Sequence, residues 1–171
     1  MSFSLIPDLM VTRLDELTPE LLQRCGIDFL MLDFDNTIVP YTTDQPAPEM
    51  EQWLADMQAS EIGICVVSNS RRDRVVRFCR ARDIPCITHA RKPFSKGISR
   101  CREQFGLDLR RTAMVGDQIY TDVLGGNCAG AWSILVRPIC LHNIWLKLRH
   151  VAELPFIALG KKRCSKNLPI L

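Results

Sequence analysis

An apolar run that ends in two closely spaced carboxylates constrains this chain more than any other feature. Residues Phe29–Leu32 are all apolar, Asp33 and Asp35 follow them two residues apart, and Thr37 comes two residues later. A strand that is apolar on both faces belongs in the middle of a sheet, where an unpaired charge is costly. Carboxylates at the carboxyl end of such a strand would lie where open α/β sheets bind ligands.

Two carboxylates this close could share a divalent cation, which would suit metal-assisted phosphoryl transfer with one aspartate as the nucleophile. The alternative is a strand that runs into an ordinary Asp/Asn turn, because these residues favour turns in any protein. This segment alone leaves both interpretations open.

Three further segments favour the chemical interpretation. A second apolar run ends at Ser68 and Asn69, and a third ends in a glycine and Asp117, with Asp122 five residues later. Between these two runs, Lys92 follows a short apolar stretch. Hydroxyl and amide donors, a cation and carboxylates have complementary roles around a phosphate and a metal ion, and most of them follow predicted strands.

In this order, the four segments resemble the four motifs of the haloacid dehalogenase (HAD) superfamily. Residues 33–37 resemble the first motif, Ser68 the second, Lys92 the third and residues 116–122 the fourth. The resemblance implies a three-layer Rossmannoid α/β fold and a phosphatase activity.

A closer resemblance is to the YqeG family of small phosphatases, which is related to the mitochondrial phosphatidylglycerophosphate phosphatases. It rests on Ile6 and Pro7, on the run 90–93, and on residues 116–127, and it extends over most of the chain. It implies a phosphorylated lipid, phosphatidylglycerophosphate, as the substrate.

With this resemblance, the chemistry of the first motif indicates distinct roles. Asp33 would be the nucleophile that forms an aspartyl-phosphate, and Asp35 would act as general acid and then general base. Mg²⁺ would be held by Asp33, the backbone carbonyl of Asp35 and Asp117. Asp122 would support the metal directly or through another ligand, unless it is only an acid favoured by a helix start.

The remaining motif residues would handle the phosphoryl group. Thr37 and Ser68, with backbone N–H groups, would bind its oxygens, and Lys92 would neutralise charge on it and on the nucleophile. The alternative for Lys92 is an exposed loop lysine. Asn69 is either a substrate contact or a turn former.

Alternating strand and helix signals predict a parallel sheet with right-handed crossovers. The helix between Thr18 and Gly26 has clear end signals, a threonine cap followed by proline and a closing glycine. In the helix after Ser70, Arg74, Arg77 and Arg80 are expected to face solvent. The five predicted strands lie near 28–34, 62–68, 85–88, 112–116 and 132–136.

The spacing leaves no room for a large cap domain. The interval between Asp33 and Ser68 is filled by a loop, one helix and a strand, and the interval from Ser68 to Lys92 by a helix and a short strand. An open site suits a substrate larger than the pocket, such as a lipid headgroup, a nucleic acid or a phosphoprotein.

Composition agrees with one HAD-like domain over residues 1–140. The chain has 171 residues, 47% of them hydrophobic, and it shows neither a signal peptide nor a run long enough to span a bilayer. Its eight cysteines form no CxxC pair, so reduced thiols in a cytoplasmic protein are expected rather than a zinc site. The net charge of +3 says little about partners.

Residues 141–171 predict a basic, amphipathic tail. Ile144, Trp145, Leu148 and Val151 keep helical spacing beside Lys147 and other basic residues. Such a helix could lie in a membrane interface with anionic lipid, or it could pack on the sheet. The residues after Gly160 are expected to be disordered.

The combined prediction is a Mg²⁺-dependent phosphatase, peripheral at a membrane, that acts on phosphatidylglycerophosphate and has no nucleic-acid partner. The alternatives are a phosphatase of nucleotides, nucleic-acid ends or phosphoproteins, and a HAD-like binding module without turnover.

Overall fold

Six parallel strands form one sheet in the order β1-β6-β5-β2-β3-β4 in the computed structural model, which describes residues 3–70, 73–94, 96–141 and 144–167. The most apolar strand lies between two others, as its sequence predicts. Every residue of β2 is buried, and Leu30 pairs with Ile64 on one side and Ala113 on the other. The strands are β1 (Leu9–Val11), β2 (Phe29–Leu32), β3 (Gly63–Val67), β4 (Cys86–Ile87), β5 (Thr112–Gly116) and β6 (Trp132–Val136).

Helices cover both faces of the sheet, and apolar side chains from them fill two large core clusters. The end signals of the first helix are confirmed: the Thr18 hydroxyl accepts a hydrogen bond from the Leu21 N–H at 3.3 Å, and Gly26 has a φ of +71°. A single π-helical turn, Ile119–Val123, precedes the fifth helix. The helices are α1 (Pro19–Arg24), α2 (Pro48–Ala59), α3 (Asp73–Arg80), α4 (Lys96–Phe105), α5 (Leu124–Ala129) and α6 (Ile144–Asn167).

The prediction of five strands is wrong, because β1 adds a sixth at the edge of the sheet. Leu9 pairs with Ile134 of β6, and the Asp8 N–H donates to the Ser133 carbonyl at 2.9 Å. Three residues are too few to show an alternating pattern, and the partner strand lies far away in the sequence. No local signal therefore distinguished this segment from a loop.

The prediction that Arg74 faces solvent is also wrong, although Arg77 and Arg80 are exposed as expected. Arg74 is 8% exposed, and its guanidinium donates to the backbone carbonyls of Pro40 and Tyr41 at 3.1 Å. The loop that supplies these acceptors comes from a distant part of the chain, so the helical pattern of α3 gave no sign of it.

The prediction of disorder after Gly160 is wrong for residues 161–167, because α6 continues to Asn167. Residues 168–171 lie outside the described part of the chain. Gly160 is buried where α6 crosses β1, and a Cβ there would lie 2.8 Å from the Met10 Sδ. This close packing explains why the helix persists. Among the described residues, no helix has both the length and the apolar content needed to cross a bilayer.

No large cap domain interrupts residues 34–67, all of which the structure describes; they comprise a loop, α2 and β3. The carboxyl edge of the sheet is therefore not covered by an inserted domain at this point of the chain.

Candidate active site

Three neighbouring strands bring the predicted site residues to one edge of the sheet. Asp33 follows β2, Ser68 follows β3 and Asp117 follows β5, and β2 pairs in parallel with both of the others. The Asp33 N–H still donates to the Val115 carbonyl at 2.8 Å, so the sheet fixes the backbone at this residue. The side chains converge because parallel strands all end at the same edge.

Lys92 lies at the centre of the site. Its Nζ is 2.6 Å from the Asp33 Oδ1 and 2.6 Å from the Asp122 Oδ1. Asn69 holds the lysine backbone from both sides: its amide oxygen accepts from the Lys92 N–H at 2.7 Å, and its amide N–H donates to the Lys92 carbonyl at 3.0 Å. The structure thus places Lys92 in the interior, whereas Asn69 contacts the lysine backbone.

Asp33, Asp117 and Asp122 form a buried acidic cluster in which one oxygen of each lies within 4.8 Å of the others. Asp117 Oδ1 is buried without a hydrogen-bond partner among the described residues. Carboxylate oxygens are the ligands that hard divalent cations prefer, and an unpartnered buried oxygen is costly unless a ligand satisfies it. The residues present therefore fit a divalent cation such as Mg²⁺.

Gly116 makes the close packing of this cluster possible. A Cβ at this position would lie 2.3 Å from the Asp122 Cγ, so any side chain would displace that carboxylate. Asp122 is held from the other side by the Gln118 N–H, which donates to its Oδ2 at 3.2 Å. The π-helical turn thereby sets the position of the Asp122 carboxylate.

Burial dominates the ionisation of these groups. Burial raises the pKa of Asp33 to about 7 against the opposing attraction of Lys92. Burial, with repulsion from Asp33 and Asp122, raises the pKa of Asp117 to about 8. Burial alone would lower the pKa of Lys92, but the attraction of Asp122 and Asp33 outweighs it and raises this pKa above its usual range. The raised pKa values of Asp33 and Asp117 thus favour their neutral forms as long as no further cation compensates the cluster.

Two of the predicted phosphate-binding hydroxyl groups are buried, those of Thr37 and Ser68. The Thr37 hydroxyl has no hydrogen-bond partner among the described residues, and the Ser68 hydroxyl accepts from the Ser70 N–H at 3.0 Å. The Thr37 hydroxyl therefore has unused capacity to bind an oxygen.

Asp35 points to Arg74 rather than into the acidic cluster. Its Oδ1 is 3.4 Å from the Arg74 Nη2, and the same guanidinium lies over the Phe34 ring with 5.1 Å to the centroid. The side chain of Asp35 is absent from the three-carboxylate cluster, so only its backbone carbonyl remains as a predicted metal ligand.

Sequence reasoning missed the role of α6 at this site. The Arg149 Nη2 lies 3.3 Å from the Asp117 Oδ2, and its Nε lies 3.8 Å from the Glu153 Oε1. Glu153 is only 1% exposed and accepts a hydrogen bond from the Ile119 N–H at 3.0 Å. The signal available in the sequence was a single acid, Glu153, among the basic residues of the tail.

Comparisons with known proteins agree with this geometry. A family model described as HAD-hydrolase-like matches residues 89–138. Probable phosphatase YqeG of Bacillus subtilis is 35% identical over 134 residues, which cover 78% of each chain. The chain belongs to the YqeG family of HAD hydrolases.

Solved structures show the same fold at low identity. The cobalt-bound deoxy-D-mannose-octulosonate 8-phosphate phosphatase of Haemophilus influenzae has a TM-score of 0.53 at 11% identity, over 85% of this chain and 95% of that one. The 3-deoxy-D-manno-octulosonate 8-phosphate phosphatase of Yersinia pestis has a TM-score of 0.53 at 12% identity, over 85% and 88%. An uncharacterized protein of Listeria monocytogenes has a TM-score of 0.52 at 15% identity, over 77% and 99%. The protein is a HAD-family phosphatase with a Rossmann-like fold.

Proposed function

We propose that this HAD-family phosphatase is a Mg²⁺-dependent phosphomonoester hydrolase that converts phosphatidylglycerophosphate to phosphatidylglycerol at a membrane surface. The observation that carries the reaction is the buried cluster in which Lys92 contacts both Asp33 and Asp122 at 2.6 Å, with Asp117 beside them. A nucleophile, a cation and cation-binding carboxylates are the parts that phosphoryl transfer requires.

The residues divide the reaction into two displacements. A carboxylate oxygen of Asp33 attacks phosphorus, and the bond from phosphorus to the leaving oxygen breaks while Asp35 donates a proton to that oxygen. Asp35 then takes a proton from the water that hydrolyses the aspartyl-phosphate. Lys92 neutralises negative charge on Asp33 and on the phosphoryl oxygens in both displacements.

Mg²⁺ would be held by Asp33 and Asp117, with Asp122 and the Asp35 carbonyl in support, and would supply positive charge at the phosphoryl oxygens. The hydroxyl groups of Thr37 and Ser68 would bind the phosphoryl oxygens.

The lipid substrate is supported by α6. Ile144, Trp145, Leu148 and Val151 form an exposed apolar stripe, and Trp145 is 77% exposed. Lys147 is exposed on the same helix. Exposed apolar side chains beside basic residues are typical of helices that bind anionic membrane surfaces. The stripe and Arg149, which contacts Asp117, lie on different sides of α6. A membrane bound by the stripe would therefore lie next to the site.

The test is phosphate release from phosphatidylglycerophosphate in detergent micelles, with Mg²⁺ or with EDTA. We expect release from the wild type with Mg²⁺ and none from Asp33→Asn. The matched control is Asp28→Asn, which removes an exposed carboxylate before the same strand that pairs with Arg111 on the surface, and it should keep full activity.

Two outcomes would contradict the proposal in different ways. Hydrolysis of p-nitrophenyl phosphate without hydrolysis of the lipid would retain the phosphatase and reject the lipid, leaving nucleotides, nucleic-acid ends or phosphoproteins as substrates. Binding of anionic vesicles that is unaffected by Trp145→Ser with Leu148→Ser would reject the role of the stripe.

A further inference from the structure

The loop after β6 lies at the same carboxyl edge of the sheet as the catalytic residues that follow β2, β3 and β5. Residues 137–141 follow β6 and are tied to the first motif through Asn36. The Ile139 N–H donates to the Asn36 carbonyl at 3.1 Å, and the Cys140 N–H donates to its side-chain oxygen at 2.9 Å. This loop is therefore held in a fixed position relative to the catalytic residues.

Two cavities open beside the catalytic cluster and share one wall. The first, of about 630 Å³, is bordered by Thr37, and the second, of about 600 Å³, is bordered by Asp117. Arg137, Pro138 and His150 border both of them. Cavities of this size accommodate a small-molecule ligand. The shared wall thus lies where the part of a substrate beyond its reacting phosphate would extend.

The basic side chains of this wall are available to a ligand, in contrast to those of the catalytic cluster. Lys92 contacts two aspartates, Arg74 contacts loop carbonyls and Asp35, and Arg149 contacts Asp117 and Glu153. Arg137 is exposed, and neither its side chain nor that of His150 forms an ion pair or hydrogen bond with the described residues. An unpaired guanidinium beside a phosphatase site is well suited to bind a second anionic group.

We propose that Arg137 and His150 form a second anion-binding subsite, which holds an anionic group on the leaving-group side of the substrate. The preferred substrates are phosphomonoesters whose alcohol carries a further anion, such as a phosphodiester. Apolar residues border the same cavities, among them Ile38 and Leu141 in the first and Leu154 in the second. The inference rests on the proposed phosphatase function, and it adds which part of the substrate is recognised.

The test compares three substrates in the wild type and in Arg137→Gln. Short-chain phosphatidylglycerophosphate and its deacylated form both carry the phosphodiester, and p-nitrophenyl phosphate lacks it. For the two phosphodiester substrates we expect the KM to rise roughly 10- to 100-fold with little change in kcat, because a charge-assisted hydrogen bond is lost. The parameters for p-nitrophenyl phosphate should stay within about twofold of the wild type, because the contact is absent. Arg137→Lys should restore part of the KM.

The matched control is Arg110→Gln, because Arg110 is an exposed arginine before β5, at the opposite edge of the sheet, paired with Asp108. It should leave all three substrates unaffected. Equal effects of Arg137→Gln on all three substrates, or no effect on any, would overturn the subsite. A rise confined to the acylated substrate would also overturn it, because it would assign the recognition to the lipid chain rather than to the anion.

A binding measurement separates this inference from the proposed function. Glycerophosphoglycerol carries the phosphodiester and has no phosphate to release, so titration calorimetry measures its affinity without turnover. We expect wild-type binding that weakens roughly 10-fold or more in Arg137→Gln. Equal affinity in both proteins would refute the subsite. If the wild type binds glycerophosphoglycerol more tightly than Arg137→Gln but hydrolyses none of the three substrates, the proposed phosphatase activity would be refuted and the subsite would be supported.

Discussion

Replacing Arg74 by methionine tests how the first motif is held in place. The guanidinium donates to the carbonyls of Pro40 and Tyr41 at 3.1 Å and lies 3.4 Å from Asp35. Methionine keeps much of the apolar volume but removes every polar contact. We therefore expect a folded protein in which the loop after the motif, and the Asp35 carboxylate, are no longer fixed.

The stability cost follows from these contacts. Each hydrogen bond from a charged donor contributes about 1.5–3 kcal/mol, and removing a buried cation recovers part of its desolvation cost. The contact of Arg74 with Asp44 adds little, because the Asp44 side chain is 63% exposed. We expect the free energy of unfolding to fall by about 3 kcal/mol, which lowers Tm by roughly 6–12 °C in a chain of this size.

The catalytic cost depends on the leaving group. A displaced general acid costs about 100-fold in kcat/KM, which reports the first displacement, when the leaving alkoxide needs a proton. Release of p-nitrophenolate needs little protonation, so the kcat/KM for this substrate should fall less than about tenfold. The kcat also includes the second displacement, which uses Asp35 as a base for both substrates. Arg74→Lys should restore part of the difference. The control is Arg77→Met on the exposed side of the same helix, which should change neither Tm nor kcat/KM. Equal losses of kcat/KM on both substrates would refute the proposed link from Arg74 to Asp35.

Three further predictions concern the acidic cluster. Gly116→Ala would bring a Cβ to 2.3 Å from Asp122, so we expect about 1–3 kcal/mol of destabilisation and loss of phosphatase activity. Thermal melts and phosphate release measure the two effects. The control is Gly125→Ala, whose Cβ would have its nearest contact at 3.5 Å. The raised pKa of Asp117, about 8, means that the folded protein keeps a proton that the unfolded chain releases near pH 4. The free energy of unfolding without metal should therefore fall as pH rises from about 4 to about 8. Denaturant melts with EDTA should show this slope, and Asp117→Asn should have a shallower one. Arg149→Met removes a cation 3.3 Å from Asp117, a predicted metal ligand, so the apparent affinity for Mg²⁺ in calorimetry should rise roughly tenfold. An unchanged or lower affinity would contradict this interpretation.

The sequence was most informative where one strand specifies both the sheet and the site. An apolar run such as Phe29–Leu32 has to be buried, and the polar residues that follow it have to lie at the edge. That reasoning led to a parallel sheet and to a set of residues that the structure brings together around Lys92. The fold class was therefore predictable from local patterns, and the family from the resemblance of the four motifs.

The missed features all depend on contacts between distant segments. β1 has three residues and is defined by its partner β6. Arg74 and Glu153 are buried because backbone groups from other segments accept or donate to them. Helical periodicity describes one helix at a time, and it cannot show which acceptors another loop places against a charged side chain. An expectation that every arginine and glutamate faces solvent fails at such positions.

The central claim, that Asp33 is a nucleophile, is tested most directly by trapping its phosphorylated form. Rapid acid quench of Asp35→Asn with Mg²⁺ and p-nitrophenyl phosphate, followed by peptide mass spectrometry, should place one phosphoryl group on Asp33, because the second displacement lacks its general base. The same experiment with EDTA should give no phosphopeptide. Phosphate release by the wild type, with no phosphorylated Asp33 in the quenched variant and with activity retained in Asp33→Asn, would contradict the account.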